Sequence, residues 1–470
     1  MELINNYQLP EGYKKTEVGV IPEDWEVDKF INITEVITCG VAATPKYVTE
    51  TTGKPFLSAQ NVQNGRVIYD NYKFISKELF AQITKHNKPT KGDILYTRVG
   101  AGIGEAGVIE DNFEFAIYVS LTLIKPKYQK LDSYWIAYLL NSGRYKFLAR
   151  NGLFAGAGVQ NLNVEVVRNF AIPLPPLPEQ KAIAQTLSDV DALIAALDKL
   201  IAKKRNIKTA TMQQLLTGKT RLPGFGEGKG YKKSEVGVIP EDWEVKQLPE
   251  IAWFQEGPGV RNYQFAQSGV KLLNGTNIFR GKLTLDTTNR YISVSEAFGS
   301  YKHFLVDVGD ILIASSGVTI DKFHEKLAFA LPEHLPLCMN TSTIRFKANC
   351  HKTTNQYLYF FLQSDLFKAQ IGKQATGSAQ LNFGPAHLNK VSVVISQNSE
   401  EQKAIAQVFS DIDSEITALE KRRAKTQSIK QGMMQELLTG KTRLNFEHPL
   451  RGKVIHYEDP YEPVTPDSNN

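Results

Sequence analysis

Long apolar runs are missing from these 470 residues. No stretch approaches the roughly 18 uninterrupted apolar residues that a helical membrane span requires. The opening MELINNYQLPEG carries neither a basic region nor an apolar core, so no secretory signal is expected. Cysteine is scarce. Cys39, Cys338 and Cys350 form an odd, sparse set, as expected in a reducing compartment. Cys338, Cys350, His334 and His351 match no standard zinc-ligand spacing. GxxxxGK[ST] is absent, which excludes a P-loop ATP motor. The expectation is a cytoplasmic chain with no membrane association.

Catalytic patterns are equally thin. GIGEAG at Gly102 matches GxGxxG and follows the strand-like DILYTRV, the setting of a dinucleotide fingerprint. The residues behind it, VIEDNFEFAIYVSLTLI, continue as strand, so no helix N-terminus waits for a pyrophosphate. A glycine-rich β-turn is the better reading. FAGAG at Phe154 copies the FxGxG of adenosylmethionine binding in amino-methyltransferases. It follows a helix, however, and the chain has no Asn/Asp-Pro-Pro-aromatic tetrapeptide to hold a target base. His86, His303 and His324 have no companions suggesting a triad, and the acids Asp189 and Asp191 fall on a helix surface. No catalytic residue, bound cofactor or metal is expected.

What the chain does have is repetition. YKKTEVGVIPEDWEV begins at Tyr13 and YKKSEVGVIPEDWEV at Tyr231, with 14 of 15 residues shared and Thr16 exchanged for Ser234. A longer echo runs from Glu179 to Leu222 and again from Glu401 to Leu444, identical at 28 of 44 positions. The offsets are 218 and 222, so small loop insertions lie inside two otherwise parallel units. Between the echoes only anchors survive, such as GDIL at Gly92 and Gly309, or GVQNLN at Gly158 against GSAQLN at Gly377.

The longer echo reads as helix. Ile183, Leu187, Val190, Ile194, Leu197 and Ile201 step by four and three, and Ile405, Phe409, Ile412, Ile416 and Leu419 repeat the stripe. PLPPLPEQ fixes the first entry, and Gly218 and Gly440 stand where left-handed caps belong. At 39 residues each helix spans on the order of 58 Å. Neither is flanked by other long amphipathic helices, so the two stripes are expected to pack antiparallel on each other. Residues 9–27 should then lie beside the end of the second helix, near Leu444, and the repeat closes as a circle with pseudo-twofold symmetry.

The variable segments are strand-like (DILYTRV, FEFAIYVSLTLI, DILIASS, TSTIRF), each with one aromatic-rich helix, YWIAYLLNSGRYKFLA or QYLYFFLQSDLFKAQI. The fold class is α+β: two globular domains joined by two long antiparallel coiled-coil helices in tandem repeat. The expected division is 1–178, first variable domain; 179–217, central helix; 218–400, linker and second variable domain; 401–439, distal helix; and 440–470, a tail, disordered after 444.

The side chains available for chemistry suit binding. The net charge of +6 and a pI near 8.8 permit nucleic acid without demanding it. Two corresponding loops, SAQNVQNGR and NGTNIFRGK, set amides beside cations: Gln60, Asn61, Asn64 and Arg66, then Asn274, Asn277, Arg280 and Lys282. Asn and Gln pair with adenine and Arg with guanine, although Asn-Gly stretches also simply make turns. Lys54 with Lys271, Lys73 with Arg290, and Arg98 add phosphate-binding capacity. Gln160 and Gln380 complete the candidate DNA-binding set.

GVIPEDWE before each variable domain, the GDIL strand, and LPPLPEQKAIAQ leading to LLTGKTRL together resemble the specificity subunit of Type I restriction–modification enzymes. The likeness covers residues 9–444 in the family's order, with SQNSEEQ replacing LPPLPEQ in the second unit. It implies a non-catalytic DNA-recognition subunit with two target recognition domains, each reading one half of a bipartite, non-palindromic double-stranded DNA target. It implies helices that set the spacer and dock two methyltransferase subunits, with restriction subunits joining them. S-adenosylmethionine, ATP and magnesium would belong to those partners. Two other classes stay open from the residues alone: a catalytic DNA adenine methyltransferase using FAGAG, and a tandem scaffold that binds no DNA.

Overall fold

The computed structural model describes residues 9–154, 161–286, 288–374 and 380–444. Gln160, most of FAGAG and the tail after 444 lie outside them. The chain falls into two compact units, Met1–Ala196 with Arg423–Asn470, and Leu197–Arg422. This division differs from the one expected from sequence, because it cuts within both long helices and gives each unit part of each.

The class is α+β with two long helices, Leu177–Leu215 and Ser399–Leu437, each of 39 residues. Both start and stop two residues before the expected bounds. Pro178 fits in a first turn, where its missing N–H has no partner to lose. The second helix replaces the proline-rich entry with a side-chain cap, Asn398 Oδ1 accepting from the Glu400 N–H at 2.9 Å. Past each helix, Gly218 and Gly440 have φ of +68° and +70°. A Cβ there would meet Pro240 or Pro22 at 2.5 or 2.4 Å, so glycine is required twice over.

The helices pair within each unit, and the contacts give the direction. In the second unit Lys208 binds Asp413, Lys204 binds Glu415 and Arg205 binds Glu420, so the partner number shifts as an antiparallel pair requires only in part, while the remote ends settle it. Met212 and Leu215, late in the first helix, share a core with Ile405 and Phe409, early in the second. In the first unit Ile183 and Leu187, early in the first helix, share a core with Leu437 and Leu438, late in the second. Start meets end in both units. The expected stripe faces inward: Ile183, Leu187, Leu197, Ile201, Ile405, Phe409 and Ile416 are buried.

The variable domains share a sheet order beneath their divergence. In the first unit Thr34–Cys39, Leu121–Pro126, Ile94–Thr97 and Ala106–Val108 are neighbours, extended by Arg66–Val67 and Val62–Gln63. In the second unit Ala252–Glu256, Thr343–Ala348, Ile311–Ala314 and Leu327–Phe329 repeat the first four. Each expected aromatic helix is broken in two. Ser133–Leu140 gives way to Gly143–Asn151, because the Asn141 amide is spent on the Ala106 backbone, at 3.1 and 2.8 Å. Asn355–Gln363 stops at Ser364, whose hydroxyl donates back to the Phe361 carbonyl and accepts from the Phe367 N–H. Within GIGEAG, Gly102 and Gly104 form a turn and Ala106 and Gly107 already belong to the strand Ala106–Val108, so the motif opens a strand and not a helix.

Candidate nucleic-acid interface

The repeated segments meet at one place in each unit, and this frame orients the variable loops. In the first unit Arg443 forks onto Asp24 at 2.9 Å through two nitrogens and onto Glu179 at 2.5 and 2.8 Å. The Trp25 indole N–H donates to the same Glu179 at 3.0 Å, and the guanidinium lies over the Trp25 ring. In the second unit Arg221 joins Asp242 and Glu401, and Trp243 donates to Glu401 at 3.0 Å. Arg221 holds the Asp242 carboxyl down to about 2, chiefly by hydrogen bonding. Each clasp thus unites PEDW, the EQ that opens a helix, and the KTR that follows the other helix. Gln180 and Gln402 turn the other way, donating to Lys130 and Lys352 carbonyls at 2.9 and 3.0 Å and tying helix to domain.

The hairpin before each domain completes the frame. Tyr13–Thr16 pairs with Gly19–Pro22, and Tyr231–Ser234 pairs with Gly237–Pro240. Tyr13 donates to the Gly440 carbonyl at 2.9 Å, which puts residues 9–27 beside the end of the second helix, as the repeat requires. The single exchange in the echo also has a reason. Thr16 and Ser234 both donate to the carbonyl three residues on, Gly19 at 2.8 Å and Gly237 at 2.7 Å. Each accepts an N–H two residues on, at 3.3 Å. Only a hydroxyl does both.

On this frame the candidate DNA-binding residues separate into groups. Asn61 and Asn277 are buried and serve the backbone. Asn61 accepts from the Ser58 N–H at 3.0 Å and donates to Ile68 and Asp70 carbonyls; Asn277 accepts from the Asn274 N–H at 3.0 Å and donates to the Thr284 carbonyl. Arg98 is also buried, donating to Leu162 and Val119 carbonyls at 2.9 and 3.3 Å. These three hold loops in place, and their polar groups are already committed. Asn64 (φ 53°) and Arg280 (φ 50°) are turn residues ahead of Gly65 and Gly281, with Asn64 and Arg66 exposed. Lys54 pairs with Glu114 at 2.7 Å, and Lys271 donates to the Leu285 carbonyl at 3.1 Å. Gln60 is exposed and donates to the Asn71 carbonyl at 2.6 Å; Lys73 and Gln380 are exposed, and Gln160 lies outside the described residues.

In the second unit a groove of about 520 Å³ brings Asn274 and Arg290 together with Thr276, Asn289, Ser316 and Ser342. Ser316 and Ser342 also line an adjoining hollow of about 360 Å³ with Glu256, Thr341, Asn382 and His387. Arg290 is exposed and lies over the Phe265 ring at 5.3 Å, a cation with no acidic partner among the described residues. Arg280 and Lys282 are not in this groove. They line a separate cleft beside the helices with Arg205, Lys208 and Asp413. Asn289, Ser316, Asn382 and Glu256 escaped sequence reasoning, although Asn382 belongs to the GSAQLN anchor from which Gln380 was chosen. Among the described residues no group of three or more His, Cys, Asp or Glu could hold a metal ion, and no helix is long and apolar enough to cross a membrane.

A model of the Type I restriction modification DNA specificity domain matches residues 22–205 and again residues 240–431. The chain belongs to this family. It is similar to the Type I restriction enzyme MjaVIII specificity subunit of Methanocaldococcus jannaschii, 29% identical over 454 residues, 95% of this chain and 100% of that one. The Type I restriction enzyme EcoBI specificity subunit of Escherichia coli is 25% identical over 217 residues, 44% of either chain. The crystal structure of a Type I restriction–modification S subunit from M. genitalium shares the fold, with a TM-score of 0.50 and 14% identity, over 93% of this chain and 98% of that one. A chain from a type I R-M system, described for its complex assembly and conformational transition, gives a TM-score of 0.53 at 14% identity, covering 90% and 99%. The two matches to one family model fall on the two units that each build an Arg–Asp–Glu–Trp clasp, so this specificity subunit is a tandem of one domain type. Its role is that of a Type I restriction–modification specificity subunit.

Proposed function

We propose that each recognition domain of this specificity subunit reads one half of a bipartite, non-palindromic double-stranded DNA target. The long helices set the spacer between half-sites and dock two methyltransferase subunits, which restriction subunits join in the cytoplasm. S-adenosylmethionine, ATP and magnesium belong to those partners. The observation that carries this reading is the contrast between frame and groove. The clasps, caps and hairpins repeat atom for atom, while the loops they present have diverged: Arg98, spent on carbonyls in one unit, is replaced by Ser315 beside an open polar groove in the other. A frame kept constant around two different polar surfaces suits two different sequences presented to identical partners.

A line of exposed apolar residues, Leu193, Leu200 and Ile207, recurs every seven positions along the first helix, on the flank of its buried stripe. It supports helix docking, since seven-residue spacing is the seam of helix-to-helix packing. For DNA, Arg290 in the groove and the exposed Arg66, Lys73, Lys282 and Arg280 are the cations offered to it, whereas the Asn274 amide accepts from Asn340 at 3.0 Å and donates to the Leu272 carbonyl at 3.4 Å. Arg290→Ala in the assembled methyltransferase complex is the test. Cognate affinity should fall, and for a phosphate contact the slope of log affinity against log salt should shrink by about 0.9. Unchanged affinity and slope in Arg290→Ala would refute the groove as the reading surface.

A further inference from the structure

One side chain in the hollow beside the groove has the wrong sign for a polyanion. Glu256 ends the strand Ala252–Glu256, half-buried in the hollow with Ser316, Thr341, Asn382 and His387. No ion pair or hydrogen bond engages its carboxylate among the described residues, and burial, with no compensating cation, raises its pKa. A carboxylate here repels phosphates and bears a desolvation cost, so chance solvation on an outer surface does not account for it. It fits one kind of DNA group, an exocyclic amine on a base edge.

The four bases are not equivalent to a carboxylate, which only accepts hydrogen bonds. In the major groove guanine shows two acceptors, and thymine an acceptor and a methyl. Adenine sets its N7 acceptor against its N6 donor, so the second carboxylate oxygen would face a lone pair. Cytosine presents the N4 donor without a neighbouring acceptor. Resting on the DNA reading proposed above, the geometry points to Glu256 as the residue by which the second recognition domain demands cytosine at one position of its half-site. In the first domain Cys39 ends the equivalent strand, paired with Thr122 as Glu256 is with Ile344, so that domain makes no such demand there.

The test is the methylated motif in cells expressing the methyltransferase subunits with the wild-type chain, Glu256→Ala, Glu256→Gln or Arg290→Ala. Glu256→Ala should make one fixed cytosine degenerate, with roughly 10- to 100-fold loss of discrimination, and leave the other half-site unchanged. Glu256→Gln should admit adenine at that same position, because an amide pairs with N6 and N7 together. An unaltered motif in both Glu256 variants, or an equal change in affinity for all sequences, overturns the inference. If the Glu256 variants behave as wild type while Arg290→Ala weakens cognate binding, the cytosine assignment fails and the groove reading stands. If Arg290→Ala is silent as well, the groove reading falls with it.

Discussion

Replacing Arg443 with Met would leave the Glu179 carboxylate buried, with the Trp25 indole N–H its one remaining hydrogen-bond donor among the described residues. The Glu179 side chain has 0% exposure and Arg443 34%. Removing one partner of a buried ion pair costs about 3–5 kcal/mol, because the other charge stays desolvated. The partial exposure of Arg443 lets water reach part of the site, so the lower figure, about 3 kcal/mol, applies. Two units of one chain need not unfold together, so a single unfolding free energy is ill-defined and a local probe is better. Hydrogen exchange in the hairpin Tyr13–Thr16 and Gly19–Pro22 should accelerate about a hundredfold at that cost. The equivalent hairpin, Tyr231–Ser234 with Gly237–Pro240, depends on Arg221 and should stay at its wild-type rate. The double variant Glu179→Gln, Arg443→Met no longer buries an unpaired charge and should recover most of the loss. An acceleration below about fivefold, the scale of a surface ion pair, or simple additivity of the two substitutions, would refute the clasp as a buried anchor.

Arg98→Ala and Asn277→Ala should each lower stability by about 1–3 kcal/mol, through carbonyl and amide groups left without partners, and leave the methylated motif unchanged. Thermal unfolding combined with motif sequencing checks both halves of that statement. Asp242, depressed from 3.8 to about 2 in the folded chain, contributes stability that is present above pH 4 and lost as pH falls towards 2. Acid unfolding of Arg221→Met should accordingly lack part of this limb, as read by exchange in the second unit. A fragment of residues 1–227 holds Asp24, Trp25 and Glu179 and also Arg221, so two copies can each complete the other's clasp with Arg221 in the place of Arg443. It should sediment as a dimer and direct methylation of an interrupted palindrome.

The repeated parts of the fold were legible because near-identical sequence in two places means two near-identical environments. The glycine caps, the buried stripe and the hairpin beside the end of the second helix all follow from the echo. The clasp was not read, although its members stand in the quoted segments, because Arg443, Asp24 and Glu179 are distant in sequence and nothing local marks them as partners. The candidate site was legible only as a region. Asn61 and Asn64 look alike as letters in one loop, yet Asn61 points into carbonyls supplied by Ile68 and Asp70, and Asn64 stands exposed at the turn. Side-chain direction in such turns is set by tertiary partners rather than by the Asn-Gly pattern. The aromatic helices were read as continuous for a similar reason: Asn141 and Ser364 end them by bonding to backbone groups, which helix propensity does not report.

One constant frame presents two different readers in this chain. Sequencing of methylated DNA from cells expressing this chain with its methyltransferase subunits tests that most directly. Two different readers on one frame should yield one motif, composed of two different short half-sites separated by a fixed length of unspecified bases. A palindromic motif, a continuous one, or methylation that is the same without the chain would contradict it.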